Sequence, residues 1–434
     1  MPGNQPLPVR RPRTLRAPIG NVPIRPVPRC EEPRGRRAPR IALLLVLVLS
    51  STPAAAHDAS SWGGIFRTRD GGATWFPANP GRLVSGALGL AISPTDPHHL
   101  LLATDSGLLR SRNGGRDWEL VAPTVLVGAV FAAAYDADGQ RALVSTGLAL
   151  FRSDGGDDWR QIPIPARATP ARALVPASVA GRVYLAGGIG LARSDDWGAS
   201  WSSVADGLPA APVAALVAAP EAPETLYAIV DGRVWAGADG GRTWRLRNTG
   251  LPPVAMEALG WDPRDPARLW AAGGDRVFRS DDRGGRWQPV GRPLPERNTA
   301  VRGVTAAGPA LVLTTDRGIY RSGDGGARWE LVIDNVPVHL EAGPLVRDPV
   351  DPATLYAGFA LIPYAELWRG AAGGGSALGR LDPMSLAGAI VLLVLLALAA
   401  VIVLRRLAPY YRHPGGGGRA ARRTATGRTE DMRP

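Results

Sequence analysis

From residue 61 to residue 360 the apolar positions fall in short runs, each closed by a cluster of Gly, Pro, Asp, Asn or Ser. Runs of that length between turn formers predict β-strands joined by tight turns. Residues 88–120 show the unit. Residues 88–93 are an apolar run, Pro94-Thr95-Asp96-Pro97 a turn, residues 100–104 a second strand, Asp105-Ser106-Gly107 a second turn and residues 108–111 a third strand. Arg112-Asn113-Gly114-Gly115 follows, and Trp118 opens a fourth strand. Four strands with three turns make one antiparallel sheet.

The unit recurs with a period. Seven copies of a short motif end in Trp75, Trp118, Trp159, Trp201, Trp244, Trp287 and Trp329, at intervals of 43, 41, 42, 43, 43 and 42 residues. A constant, strand-rich repeat near 40 residues predicts an all-β fold, a seven-bladed β-propeller of four-stranded antiparallel blades over residues 57–368. The ends of this region are half-blades. Residues 61–78 hold a third and fourth strand around Trp75, and residues 343–360 a first and second around Leu355-Tyr356. Joined, they complete the seventh blade and pair the edges that an open ring exposes. Glu366-Leu367-Trp368 could compete for the N-terminal strand's place, and both arrangements stay open.

The motif reads Ser-x-Asp-x-Gly-x-Thr-Trp, with Asp70, Asn113, Asp154, Asp196, Asp239, Asp282 and Asp324 at its third position. Gly237 replaces Ser in the fifth copy, and the third copy, from Ser153 to Trp159, is one residue short. A carboxylate here accepts backbone N–H bonds of its own hairpin, glycine permits the left-handed turn, and Trp fills the gap between blades. The motif is therefore expected to be structural; contact with a ligand is the other reading. It lies on the turn between strands three and four, on one face with the Pro-x-Asp-Pro turns. The loops from strand two to three and from blade to blade share the opposite face.

Seven copies in register over roughly residues 61–360 resemble the Asp-box, or bacterial neuraminidase repeat. Families with this repeat include sialidases, xyloglucan-degrading glycosidases, sortilin-type receptors and the photosystem II stability/assembly factors. Sialidases also carry an Arg-Ile-Pro motif, an arginine triad and a Tyr/Glu nucleophile pair; here the corresponding place reads Phe66-Arg67-Thr68-Arg69. Regular blades without sialidase motifs look most like the assembly-factor branch, which implies a non-enzymatic scaffold.

Charge and hydropathy add a topology. The net charge of +12 sits at the two ends. Residues 1–40 hold 10 Arg against Glu31 and Glu32, and residues 405–434 hold 8 Arg against Glu430 and Asp431, leaving 32 Arg against 34 acidic residues between them. The body is near neutral, so the charge is no sign of nucleic-acid binding. The single cysteine, Cys30, lies in the N-terminal segment, and the body has neither a disulfide nor a thiol nucleophile. Residues 41–49 form a short apolar run between Arg40 and the small residues leading to Ala56, which predicts a basic leader and secretory signal peptide over 1–56. Residues 384–404 carry no charge and as a helix would extend about 31 Å, the thickness of a bilayer core. Arg405 and Arg406 follow, so the positive-inside rule places the basic tail 405–434 in the cytoplasm and the propeller outside the cell membrane. Residues 369–383, with Gly373-Gly374-Gly375, read as a flexible stalk.

Catalytic residues are not expected. Glycoside hydrolysis needs two carboxylates flanking the bond, and no convincing pair stands out. His57, His98, His99, His339 and His413 are not at metal-ligand spacing, and no metal or cofactor is expected. Aligning the innermost strands on their closing turns places Leu88, Phe131, Leu174, Ala214, Glu257, Arg302 and Gly343 at one level of the central channel. Glu257 and Arg302 fall on adjacent blades at its mouth, facing each other either to receive a polar partner group or as an interblade ion pair. Asp105, Asp231, Asp275 and Asp316 recur in the two-to-three loops, as an acidic rim for a basic peptide or as ordinary Asp-Gly turns. The expected function is a membrane-anchored extracytoplasmic scaffold for an envelope or membrane protein. The alternative is a glycosidase or carbohydrate-binding protein with a glycan as its partner.

Overall fold

A computed structural model describes residues 63–372, apart from 156, 220, 221, 223 and 263, together with residues 398–403. All described residues belong to the unit His57–Pro434. They form seven four-stranded antiparallel sheets. Blade 1 comprises Ala87–Ile92, Leu100–Thr104, Gly107–Ser111 and Glu119–Val121. Blades 2 to 6 begin at Ala132, Ala171, Val213, Ala258 and Val301. Blade 7 joins the two ends of the ring in the order Phe76–Pro77, Gly64–Thr68, Leu355–Ala360, Glu341–Arg347.

The N-terminal strand holds its place in that blade. Glu366-Leu367-Trp368 belong instead to a helix, α1, Tyr364–Ala372. Its Tyr364, Leu367, Trp368 and Ala371 recur at helical rather than strand spacing. Residues 369–372, expected as stalk, are thus helical. The leader and signal peptide, the rest of the stalk and the tail lie outside the described residues. So does the expected membrane span, save for residues 398–403, which are helical. Among the described residues no helix is long and apolar enough to cross a membrane.

The core is seven layers, one between each pair of neighbouring blades. Each sheet faces a neighbour on both sides, so its second strand is buried, throughout in Leu100–Thr104 and Leu226–Val230 and over its second half in Asp265–Gly273. Such strands read as continuous apolar runs rather than as alternation.

The repeated motif orders each third turn in the manner its residues predict. The Thr68 hydroxyl donates to Asp70 Oδ1 (2.7 Å) and accepts the Gly72 N–H (3.0 Å). Asp70 in turn accepts the Thr74 N–H (2.9 Å) and hydroxyl (2.6 Å). Asp196 repeats this with Ser194 and Ser200, and Asn113 supplies the same acceptor to the Asp117 N–H. In the fifth copy Asp239 still takes the Arg242 and Thr243 N–H groups, while Gly237 lies against the Trp244 ring where a side chain would crowd it. The shortened third copy differs. Asp154 is held by Arg152 Nε and Arg160 Nη2.

The tryptophans link blades. The indole N–H groups of Trp118, Trp244, Trp287 and Trp329 donate to the carbonyls of Ala78, Val204, Arg247 and Arg292, each just past the fourth strand of the preceding blade. The fourth copy departs again. Trp197 takes the position that Gly71 holds in the first, with a left-handed φ of 54°, and is completely buried between blades 2 and 3, while Trp201 is only partly buried. Burial of a large indole outweighs the backbone cost of that conformation.

Two predictions follow from these contacts. Trp197→Ala should cost about 3–5 kcal/mol in denaturant unfolding, and Trp201→Ala clearly less; equal costs would contradict the exchange of roles. Burial raises the Asp70 and Asp196 carboxyls, but hydrogen bonds from Thr74 and Thr68, and from Ser200 and Ser194, outweigh it and bring both to about 2. A lowered folded pKa contributes stability above the unfolded value and loses it as pH falls through the folded one. Asp196→Ala should therefore flatten the decline in melting temperature between pH 4 and 2, as read by calorimetry; an unchanged decline would exclude these carboxylates as its source.

Candidate functional site at the channel mouth

The innermost strands carry a β-bulge near their starts in blades 1, 3, 4, 6 and 7. A bulge adds a residue without a ladder partner and re-aims its side chain. The residues so placed include Leu88, Arg172, Ala214 and Arg302, and all four line one cavity of about 280 Å³, together with Phe131, Glu341, Gly343 and Tyr364. In blade 3 the residue at this level is therefore Arg172. Leu174 instead packs into the layer between blades 2 and 3. The turn of blade 3 opens at Ala177, five residues after Arg172, as that of blade 1 opens at Ser93, five after Leu88; without the Pro-x-Asp-Pro signal of blade 1 the start of this turn is easily placed two residues too late.

Glu257 and Arg302 do not form the expected pair. Arg302 Nε donates to Glu341 Oε1 (2.8 Å) across the boundary to blade 7. Glu257 accepts the Val301 N–H (2.9 Å). Burial pushes the Glu257 carboxyl above its usual range, against the nearby Arg302 charge and the Val301 N–H. Glu341 also accepts the Tyr364 N–H (3.2 Å), so both carboxylates are engaged by protein. Two carboxylates of the expected acidic rim hold the linkers that run beside them. Asp105 accepts the Ser85 hydroxyl (2.7 Å), Asp316 the Ala300 N–H (3.0 Å), and the Asp275 carbonyl the Leu294 N–H (2.7 Å). Asp231 sits in a left-handed turn at φ 52°. Among the described residues no group of His, Cys, Asp and Glu could hold a metal; His98 and His99 lie beside Asp96.

Helix α1 covers the mouth. Phe131 meets Trp368 edge-on at 5.0 Å and Tyr364 at 5.8 Å, and the Arg172 guanidinium lies 5.2 Å from the Tyr364 ring centre. Burial raises the Tyr364 hydroxyl pKa, and Arg172 opposes it. Gly147 supports the helix from below, where an added Cβ would come within 3.6 Å of Trp368 and 3.8 Å of Ala371. The surrounding loops carry exposed apolar side chains, among them Leu83, Val127, Leu148, Ile189 and Val254. The opposite face is laced with ion pairs such as Arg182 with Asp195 and Arg268 with Asp281. At the channel's other end Arg347 is held by Thr305 Oγ1 and the Ala306 carbonyl, and burial lowers its pKa.

Solved structures share this architecture. YCF48 bound to D1 peptide matches with a TM-score of 0.50 at 18% identity, over 65% of this chain and 95% of that one. The streptogramin B lyase structure matches with 0.50 at 11% identity, over 64% and 95%. The GH74 xyloglucanase from Xanthomonas campestris matches with 0.42 at 20% identity, over 68% and 55%. At these identities the first two show a likeness of fold alone. Comparison with family profiles and with curated protein sequences gives no match. The class that fold and site define is a seven-bladed propeller whose channel mouth is covered by a helix of its own chain.

The Arg302–Glu341 pair offers a direct test. Glu341 is buried, so Arg302→Met leaves a carboxylate without its cation and should cost about 2 kcal/mol in urea unfolding, reduced because Arg302 itself reaches solvent. Arg302→Met/Glu341→Gln should recover most of that; a double variant as unstable as the single would show that the pair is not what holds blades 6 and 7 at the mouth.

Proposed function

We propose that this protein is a membrane-anchored extracytoplasmic scaffold that binds a segment of an envelope or membrane protein on its channel-mouth face, without catalysis. The observation that carries this reading is that the mouth already accommodates a peptide helix, held by aromatic, cationic and carboxylate groups from three blades. A propeller of the same fold solved with a peptide bound lends support at the level of architecture. The exposed apolar side chains on that face suit a protein surface. Anchoring rests on the uncharged run 384–404 and the arginines after it, and the external location on the signal-like segment before Ala56. A glycosidase reading loses ground because the carboxylates at the mouth are spent on Arg302, Val301 and Tyr364.

The reading predicts which face cross-links. A photoreactive benzoylphenylalanine replacing Ile189, exposed on the mouth face, should give one discrete protein adduct in native membranes. The same group replacing Val350, exposed on the opposite face, should give none. Adducts from Val350 alone, or from neither position, would sink the proposal.

A further inference from the structure

We infer that the channel mouth is a receptor site for a short amphipathic helix bearing two aromatic residues four apart, and that Tyr364–Ala372 is its tethered, displaceable occupant. The inference rests on the scaffold reading and names the site and ligand class that it would use. Four observations carry it.

First, α1 is not part of the ring. All seven blades have four strands without it, and of its nine residues only Gly370 is fully buried. Releasing it costs the mouth contacts and nothing in the blades. Second, a nine-residue helix is too short to be stable alone in water. Its helical form depends on docking, so docking and helix formation are one event. Third, the contacts are specific and few. Tyr364 and Trp368 stack on each other (6.3 Å between centres, 13° between planes), and Phe131 meets both edge-on. Arg172 covers the Tyr364 ring, and Glu341 accepts the N–H at the helix start. The aromatic pair at i and i+4 is the part of the helix that the site reads. Fourth, a cavity remains beneath the helix, so α1 lies over the channel without filling it.

A tethered segment competes at an effective concentration in the millimolar range, which masks the site from weak external ligands. A partner helix with the same aromatic pair gains access when it binds more tightly or when the tether is pulled away.

The test uses a fluorescein-labelled peptide of residues 363–372 and the full-length protein in detergent, read by anisotropy. Wild type should bind it weakly. Tyr364→Ala/Trp368→Ala, which releases the protein's own helix, should bind at least about 10-fold more tightly. Arg172→Ala added to that variant should abolish the gain. A second variant locks the helix instead of releasing it, and its melting temperature checks the fold, because Gly147 sits at a φ of 89° where a side chain is strained. Gly147→Cys/Ala371→Cys places two thiols where the Cβ separation of 3.8 Å suits a disulfide. Oxidised, it should exclude the peptide; reduced, it should regain the wild-type level. Equal binding to wild type and the released variant, no binding to either, or indifference to Arg172 would overturn the inference. None of these outcomes bears on the cross-linking result at Ile189, so failure of this site and failure of the scaffold reading are distinguishable.

Discussion

Five residues at the beginning of the ring, Gly64–Thr68, pair with five at its end, Leu355–Ala360 supplying the partners, and the other layers depend on that ladder. Joining points roughly 290 residues apart costs on the order of 5 kcal/mol of chain entropy beyond a constant, and the cost grows slowly with length. It is offset where Ile65, Phe66, Trp75 and Phe359 become fully buried, at about 1.5–3 kcal/mol for each such side chain. Without the ladder, blades 1 and 6 would each expose a layer built to be covered.

Within that closed ring blades 1, 4, 5 and 6 are each held twice. The polar half of the motif orders a turn through a carboxylate or amide oxygen that accepts the N–H groups of its own hairpin. The apolar half reaches sideways, where the indole N–H bonds a carbonyl just past the preceding blade's fourth strand. Local order and interblade order thus come from one eight-residue stretch. The departures show that the two halves are separable. Asp154 loses its turn to Arg152 and Arg160 while Trp159 stays buried, and Trp201 cedes its layer to Trp197 while Asp196 keeps its turn.

The two faces of the ring have different chemistry because different loops make them. Turns one-to-two and three-to-four carry most of the ion pairs among the described residues, and their carboxylates and guanidinium groups neutralise one another around the rim. The linkers and two-to-three loops carry isolated apolar side chains and converge on the channel, where bulged residues from several blades meet α1. A bulge is the device that turns a strand residue toward the axis, which is why Arg172 and Arg302 reach the mouth.

Much of this was legible along the chain. The Trp period of 41 to 43 residues set the number of blades, and the half-units at 61–78 and 343–360 set how the ring closes, because a repeat that cannot bury its own face must stack on the next. Turn chemistry was legible for the same reason: Asp70, Asp196 and Asp282 act on residues two to four positions away. The mouth was not. In blade 3 Arg172 stands where Leu174 is expected, since the turn opening at Ala177 carries no proline or aspartate to mark its start. Arg302 was drawn to Glu341 rather than Glu257 by the arrangement of three blades around an axis. The aromatic helix hid behind a run that suited a strand as well, and Tyr364 and Trp368 became helical through contact with Phe131, some 230 residues away. Sequence alone determined what neighbours along the chain decide, the turns, strands and repeats; only the closed ring decided which distant side chains share the channel, because that depends on register and curvature accumulated over seven blades.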